Sequence, residues 1–211
     1  MKVVWRKAAW LALIFALNGR GFSDSPSLRF EVTMAPGLVE APQTGRLLLV
    51  LSSRPEPEPR FAIGRTGLGG PFVFGRDAQE FGAGRTVVVD DAAIGVPIER
   101  LAQLPPGEYF AQAVFMWNPD IRRPDAPGNL YSAVQRVRLD PARGGTFRLE
   151  LTRKIPEESP EETEHVKFVK IPSRLLSAFH GRPMYMRAGV ILPRDYAREP
   201  ARRYPLRIHI G

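Results

Sequence analysis

Proline and glycine set the limits of what this chain can fold into. Its 211 residues include 21 Pro and 19 Gly. Each proline removes a backbone donor, and each glycine opens turn conformations that other residues avoid. Long helices do not survive that punctuation. The stretches between the breaks are short and rich in Val, Leu, Phe and Tyr, so mainly β structure is predicted. A hydrophobic content of 44% supplies a core for one full domain plus a smaller second unit.

Seven strand-like runs recur at the spacing of a two-sheet β-sandwich: 28–34, 46–53, 71–74, 85–90, 108–117, 131–139 and 146–152. In Leu28-Arg-Phe-Glu-Val-Thr-Met34, apolar and polar side chains alternate, which buries one face and wets the other. Residues 146–152 repeat this period, as an antiparallel sheet requires. The continuous run Leu47-Leu-Leu-Val-Leu51 predicts instead a central strand covered on both faces. Turn chemistry in Leu104-Pro-Pro-Gly-Glu-Tyr109 delivers Tyr109 into the next strand. There its hydroxyl reaches the preceding connection, in a way that resembles the tyrosine corner of immunoglobulin-like and fibronectin-like domains. The alternative is a tyrosine that merely begins a strand.

The amino terminus carries Lys2, Arg6 and Lys7 ahead of an apolar run over 8–17. That run fits a signal-peptide core and is too short to span a bilayer. Export to the periplasm or medium is expected, with 1–26 as the leader; an uncleaved anchor and a misassigned start are the alternatives. No other segment is long and apolar enough to form an integral span. Residues 27–154 then form the sandwich domain. The stretch 155–165, with five Glu, two Pro and a single Ile, is an acidic linker. Residues 166–211 begin a second unit, with strands predicted over 165–171, 182–192 and 204–210. A strand at 204–210 without flanking helices leaves its faces uncovered, so this unit is read as incomplete.

Composition removes several function classes. The absence of cysteine excludes a disulfide framework, thiolate metal sites and thiol nucleophiles. A net charge of +8 raises nucleic acid or an anionic membrane as partners. The 25 Arg and five Lys, however, are scattered singly along the chain and form no basic helix or stripe. A solvated surface and no nucleic-acid partner are the expectation. His165, His180 and His209 lack metal-ligand spacing, so neither metal nor cofactor is expected. Gly64-Arg-Thr-Gly-Leu-Gly-Gly70 and Gly82-Ala-Gly84 imitate phosphate-loop glycines without the following Lys-Ser/Thr, and are read as turns. Asp90-Asp91 is a solvated turn, or one corner of a calcium site.

Within 108–117, period two puts Tyr109, Ala111, Ala113, Phe115 and Trp117 on one face. That face is sheet core, or a platform for stacking sugar or aryl groups. Trp117-Asn118-Pro119-Asp120 leaves this strand into a Pro-rich loop and is the candidate recognition loop, with Trp117, Asn118 and Asp120 as its reading residues.

Three further segments carry a resemblance. Val169-Lys-Ile-Pro-Ser173, Met186-Arg-Ala-Gly-Val-Ile-Leu-Pro-Arg-Asp-Tyr196 and Tyr204-Pro-Leu-Arg-Ile-His-Ile-Gly211 together resemble the opening of the enterochelin-esterase-like and feruloyl-esterase-like branch of the α/β hydrolases. The likeness covers residues 166–211. It implies a serine esterase acting on an ester or glycan-linked substrate, of which this chain is the accessory sandwich and the first hydrolase strands. It also implies that His209 and Gly211 begin the loop that lends a backbone N–H to the oxyanion hole. Ile210 between them departs from the family's pattern. No G-x-S-x-G is present. Ser173 and Ser177 sit in a predicted turn without a nucleophile elbow, so no catalytic residue is assigned. The alternative function is an exported immunoglobulin-like binding or structural module without enzymatic activity.

Overall fold

The computed structural model describes residues 27–210 except Leu68, Glu158, Ser159 and Pro200. The expected leader and Gly211 lie outside the described residues. Mainly β structure is what the described chain adopts: eleven strands, two short 3-10 turns and one α-helix. No helix among the described residues is long and apolar enough to cross a membrane.

Nine strands form one sheet. They are β1 (Leu28–Met34), β2 (Gln43–Ser52), β3 (Phe72–Phe81), β4 (Val87–Val89), β5 (Ile94–Val96), β6 (Gly107–Met116), β7 (Leu130–Ser132), β8 (Gln135–Leu139) and β9 (Gly145–Lys154). Their order is β4-β1-β9-β7-β6-β2-β3-β5, with β8 on β6. The expectation of an antiparallel sheet from the alternation in 28–34 and 146–152 needs correcting: these two strands lie side by side and β1 runs parallel to β9 from Leu28↔Gly145 to Met34↔Leu151, because alternation marks one buried face and not strand direction. The other pairs are antiparallel.

The sheet curls so that its two ends approach. The Arg76 guanidinium on β3 donates to the Val88 carbonyl on β4 at 2.9 Å and to Asp90 at 3.0 Å. Inside the curl lies the core. Phe30, Val32, Leu47, Leu49, Leu51, Phe74, Phe81, Phe115 and Leu151 are buried almost completely. Phe81 meets Phe115 edge-on at 5.2 Å, and Phe147 stacks on Phe30 at 5.3 Å.

Local chemistry explains the irregular positions. Ala78 and Phe81 both point inward although three residues apart, because a bulge at Glu80 (φ 47°) shifts the pleat by one residue. Its N–H is taken by the Thr44 hydroxyl at 3.2 Å. The predicted strand over 131–139 is broken into β7 and β8, and at the break the Ser132 hydroxyl accepts the Ala113 N–H at 3.0 Å. β2 is central, between β3 and β6, as its apolar run implies. Gly95 on β5 is a position of close approach: a Cβ there would run into the Ile98 carbonyl and stand 2.7 Å from the Phe74 ring.

The second unit is a two-stranded antiparallel ribbon of β10 (Val166–Pro172) and β11 (Tyr185–Ile191), paired from Val166↔Ile191 to Pro172↔Tyr185. Two expectations need correcting here. Ser173 and Ser177 do not lie in a turn: Ser173 caps a helix, α1 (Arg174–His180), that ends at Gly181 in the left-handed conformation. Residues 204–210 are no strand. Leu206, Ile208 and Ile210 alternate as a strand would, but no neighbouring strand among the described residues accepts them, and alternation without a ladder does not make a strand.

Candidate functional site

The loop leaving β6 is built by side-chain amides. The Asn129 carbonyl oxygen, Oδ1, accepts the N–H groups of Trp117 and Asn118 at 3.1 and 3.0 Å, and its Nδ2 donates to the Arg123 carbonyl at 2.8 Å. Asn118 Oδ1 accepts from Asp120 and Ile121, both at 2.8 Å, while its Nδ2 reaches the Pro127 carbonyl at 2.8 Å. Trp117 donates its indole N–H to the Gly128 carbonyl at 2.6 Å and packs against the core. The three predicted reading residues are thus together, but Trp117 and Asn118 direct their hydrogen bonds into their own loop. The key residue, Asn129, was not singled out by the sequence. Being fully buried, it needs all its polar partners inside the protein.

Asp120 differs. Its carboxylate, only 18% exposed, faces Arg182 at 3.5 Å and Arg187 at 3.8 Å, both from the second unit. The Arg182 guanidinium also reaches the Pro119 carbonyl at 3.5 Å. The loop therefore meets the β10–β11 ribbon and carries its counter-charge.

The aromatic face of β6 is core. Tyr109 and Phe115 are buried, and the Tyr109 hydroxyl donates to the Pro105 carbonyl at 2.7 Å, the bond expected of a corner tyrosine. Burial pushes the Tyr109 phenol above its ordinary pKa. On the outer face of the same strand, Gln112 is buried completely beneath the 3-10 turn over Pro59–Ala62. Its amide oxygen accepts the Arg60 N–H at 3.0 Å, and its amide nitrogen, Nε2, donates to the Ser132 carbonyl at 3.0 Å and to the Glu58 carboxylate. The Arg60 guanidinium lies between the rings of Phe61 and Tyr131, 4.1 and 4.0 Å from their centroids, and pairs with Glu58 at 3.1 Å. A lone Gln in an apolar strand was the available sign of this network.

Beside it, a groove of about 580 Å³ runs along the outer face of β2, β3 and β5. Leu48, Val73, Ile94 and Val96 form its apolar floor, and Arg46 and Arg65 stand at its rim. It can hold an apolar group but contains no acid or base positioned for chemistry. Arg46 is already paired with Asp77 at 2.7 Å.

The remaining candidates have local roles. Ser177 accepts the Met184 N–H at 2.8 Å, and Ser173 accepts that of Leu176 at 3.3 Å. Asp90 accepts from Arg76 and the Ala92 N–H, while Asp91 accepts the Ala102 N–H at 2.9 Å. Gly64, Gly67, Gly69 and Gly84 have positive φ and occupy turns. No group of His, Asp or Glu suited to a metal occurs among the described residues. His209 lies exposed in the irregular segment, and Gly211 is outside the described residues. Compared with protein-family models, curated proteins and solved structures, the chain has no significant match in any of the three.

Proposed function

We propose that this chain is the amino-terminal accessory and opening region of an exported serine esterase, and that it does not itself turn over esters. In this reading the curled β unit is an immunoglobulin-like sandwich that positions the hydrolase-like unit starting at Val166. The observation that carries the reading is the β10–β11 ribbon. It pairs antiparallel, continues into Leu192-Pro193, and brings Tyr196 and Tyr204 of the resembled motifs to 5.8 Å. Its side chains Ile171, Met186 and Ile191 are about half exposed or more, as the edge of a larger sheet would leave them before its neighbours cover them. Ser173 and Ser177 engage backbone groups, which supports the non-catalytic part of the proposal.

A p-nitrophenyl acetate assay with a fluorophosphonate probe tests it. No saturable hydrolysis and no labelled serine are expected from this chain. The gene read beyond codon 211 should continue into a G-x-S-x-G segment, and the longer product should react. A labelled Ser173 or Ser177 would overturn the non-catalytic assignment, and a stop codon directly after Gly211 would overturn the esterase assignment. The second reading, an exported binding module, then takes over. It draws support from the complete core of the β unit and from the apolar groove on its outer face.

A further inference from the structure

Spacing along the sequence hides how unevenly the charge is divided. Residues 166–211 contain ten Lys or Arg and two Asp or Glu, whereas residues 1–165 contain twenty of each. The whole formal charge of +8 therefore belongs to the second unit. Five of its cations form ion pairs: Lys167, Arg182, Arg187, Arg198 and Arg202. Lys170, Arg174, Arg194, Arg203 and Arg207 are exposed and have no carboxylate partner among the described residues.

The same unit presents apolar side chains to solvent. On α1, Leu175 is 86% and Phe179 84% exposed. Four residues apart, they stand on one side of the helix as a ridge with Arg174 beside it. We infer that this ridge and the surrounding cations form a docking surface for an anionic phospholipid membrane, with Leu175 and Phe179 entering the acyl boundary and Lys and Arg meeting lipid phosphates. Charge selects the partner. A second copy would oppose +8 with +8. Nucleic acid would use the cations, but of the six most exposed apolar side chains described in the unit, Ile210, Leu175, Phe179, Ile191, Leu206 and Ile208, five are aliphatic and cannot stack on bases. An interface that pairs cations with aliphatic side chains suits lipid. The inference goes beyond the esterase reading and does not rest on it.

The chain has no cysteine, so Ala178→Cys gives a single thiol beside the ridge for a nitrobenzoxadiazole label on the full chain. Vesicles of equal parts phosphatidylglycerol and phosphatidylcholine should shift its emission to the blue, and high salt should reverse the shift. Pure phosphatidylcholine should leave it unchanged. In the labelled chain, Leu175→Ser with Phe179→Ser should weaken partitioning about tenfold, and Lys170→Glu with Arg174→Glu should do likewise. Both pairs are exposed, so the β core is untouched. A label that does not respond to the anionic vesicles overturns the proposal, even if the chain sediments with them through its apolar amino terminus. An equal response to phosphatidylcholine, an equal response to duplex RNA, or a shift that rises with protein concentration alone also overturns it.

Discussion

At the scale of single residues, the polar groups that matter most are those with nowhere to go but the protein. Gln112 is buried completely and serves Arg60, Glu58 and Ser132 at once. Gln112→Leu matches its volume but strands the Arg60 N–H and the Ser132 carbonyl, so a loss of about 1–3 kcal/mol is expected in denaturant unfolding. Tyr109→Phe deletes one bond, to the Pro105 carbonyl, and leaves that acceptor in a partly exposed turn. About 1 kcal/mol is expected there. Because burial raises the Tyr109 pKa, its stabilising contribution is present below the phenol's ordinary pKa and is lost as pH rises through the higher folded value. The Tyr109→Phe variant should therefore lose less stability at alkaline pH than the parent. If both variants unfold with the parent's midpoint, these buried bonds contribute nothing net. The two residues also differ in legibility. Tyr109 is readable because Pro, Pro and Gly set its turn, while the hydrogen bonds of Gln112 come from residues 54 positions before and 20 after it.

Elements were legible in the sequence where a ladder supports the pattern. Strict alternation marks β1 to the residue, and β9 nearly so. β5 escaped notice because three residues, one of them Gly95, are too few to show a period. The sequence predicts a turn at α1 although Ser173, the apolar pair Leu175 and Phe179, and Gly181 spell cap, ridge and stop. Its apolar side chains face water, so it lacks the buried stripe by which helices are ordinarily recognised. Residues 204–210 failed the other way, with a good period and no partner strand. The start of β10 depends on the linker: Glu162 accepts the Phe168 N–H at 2.9 Å and pairs with Lys167 at 3.3 Å, and Thr163 accepts the N–H groups of His165 and Val166. The hydrogen bond from Phe168, followed by that from Lys167, lowers the Glu162 pKa. Its contribution is therefore present above the ordinary carboxylate pKa and is lost as pH falls through the lower folded value. Protection of the Phe168 amide, measured against its intrinsic exchange rate, should fall over that acid range, and Glu162→Gln should flatten the dependence. An unchanged profile in Glu162→Gln would remove Glu162 as the cap.

For the whole molecule, the question is how firmly the cationic second unit sits on a β unit that has its own core. Buried apolar side chains hold the curled sheet together, whereas among the described residues of the second unit only Met184 falls among the buried hydrophobics. Its polar attachment is Asp120 between Arg182 and Arg187, at 3.5 and 3.8 Å with both guanidinium groups well exposed. Pairs of that kind contribute about 0–1 kcal/mol each and weaken with salt. A cooperative β unit joined to a loosely attached ribbon should behave as two stabilities in one chain. A protease that cleaves after Glu has sites at Glu157, Glu158, Glu161, Glu162 and Glu164 between the two. Cleavage there should precede any within residues 28–153, should quicken at high ionic strength, and should already be fast at low salt in Asp120→Asn. The amino-terminal product, ending at Glu157 or at a later Glu of the linker, should keep the cooperative unfolding of the parent, because none of its core residues comes from beyond Leu151. If the first cuts fall inside the curled sheet, or if Asp120→Asn leaves cleavage in the linker unchanged, then contacts other than this ion pair hold the units together.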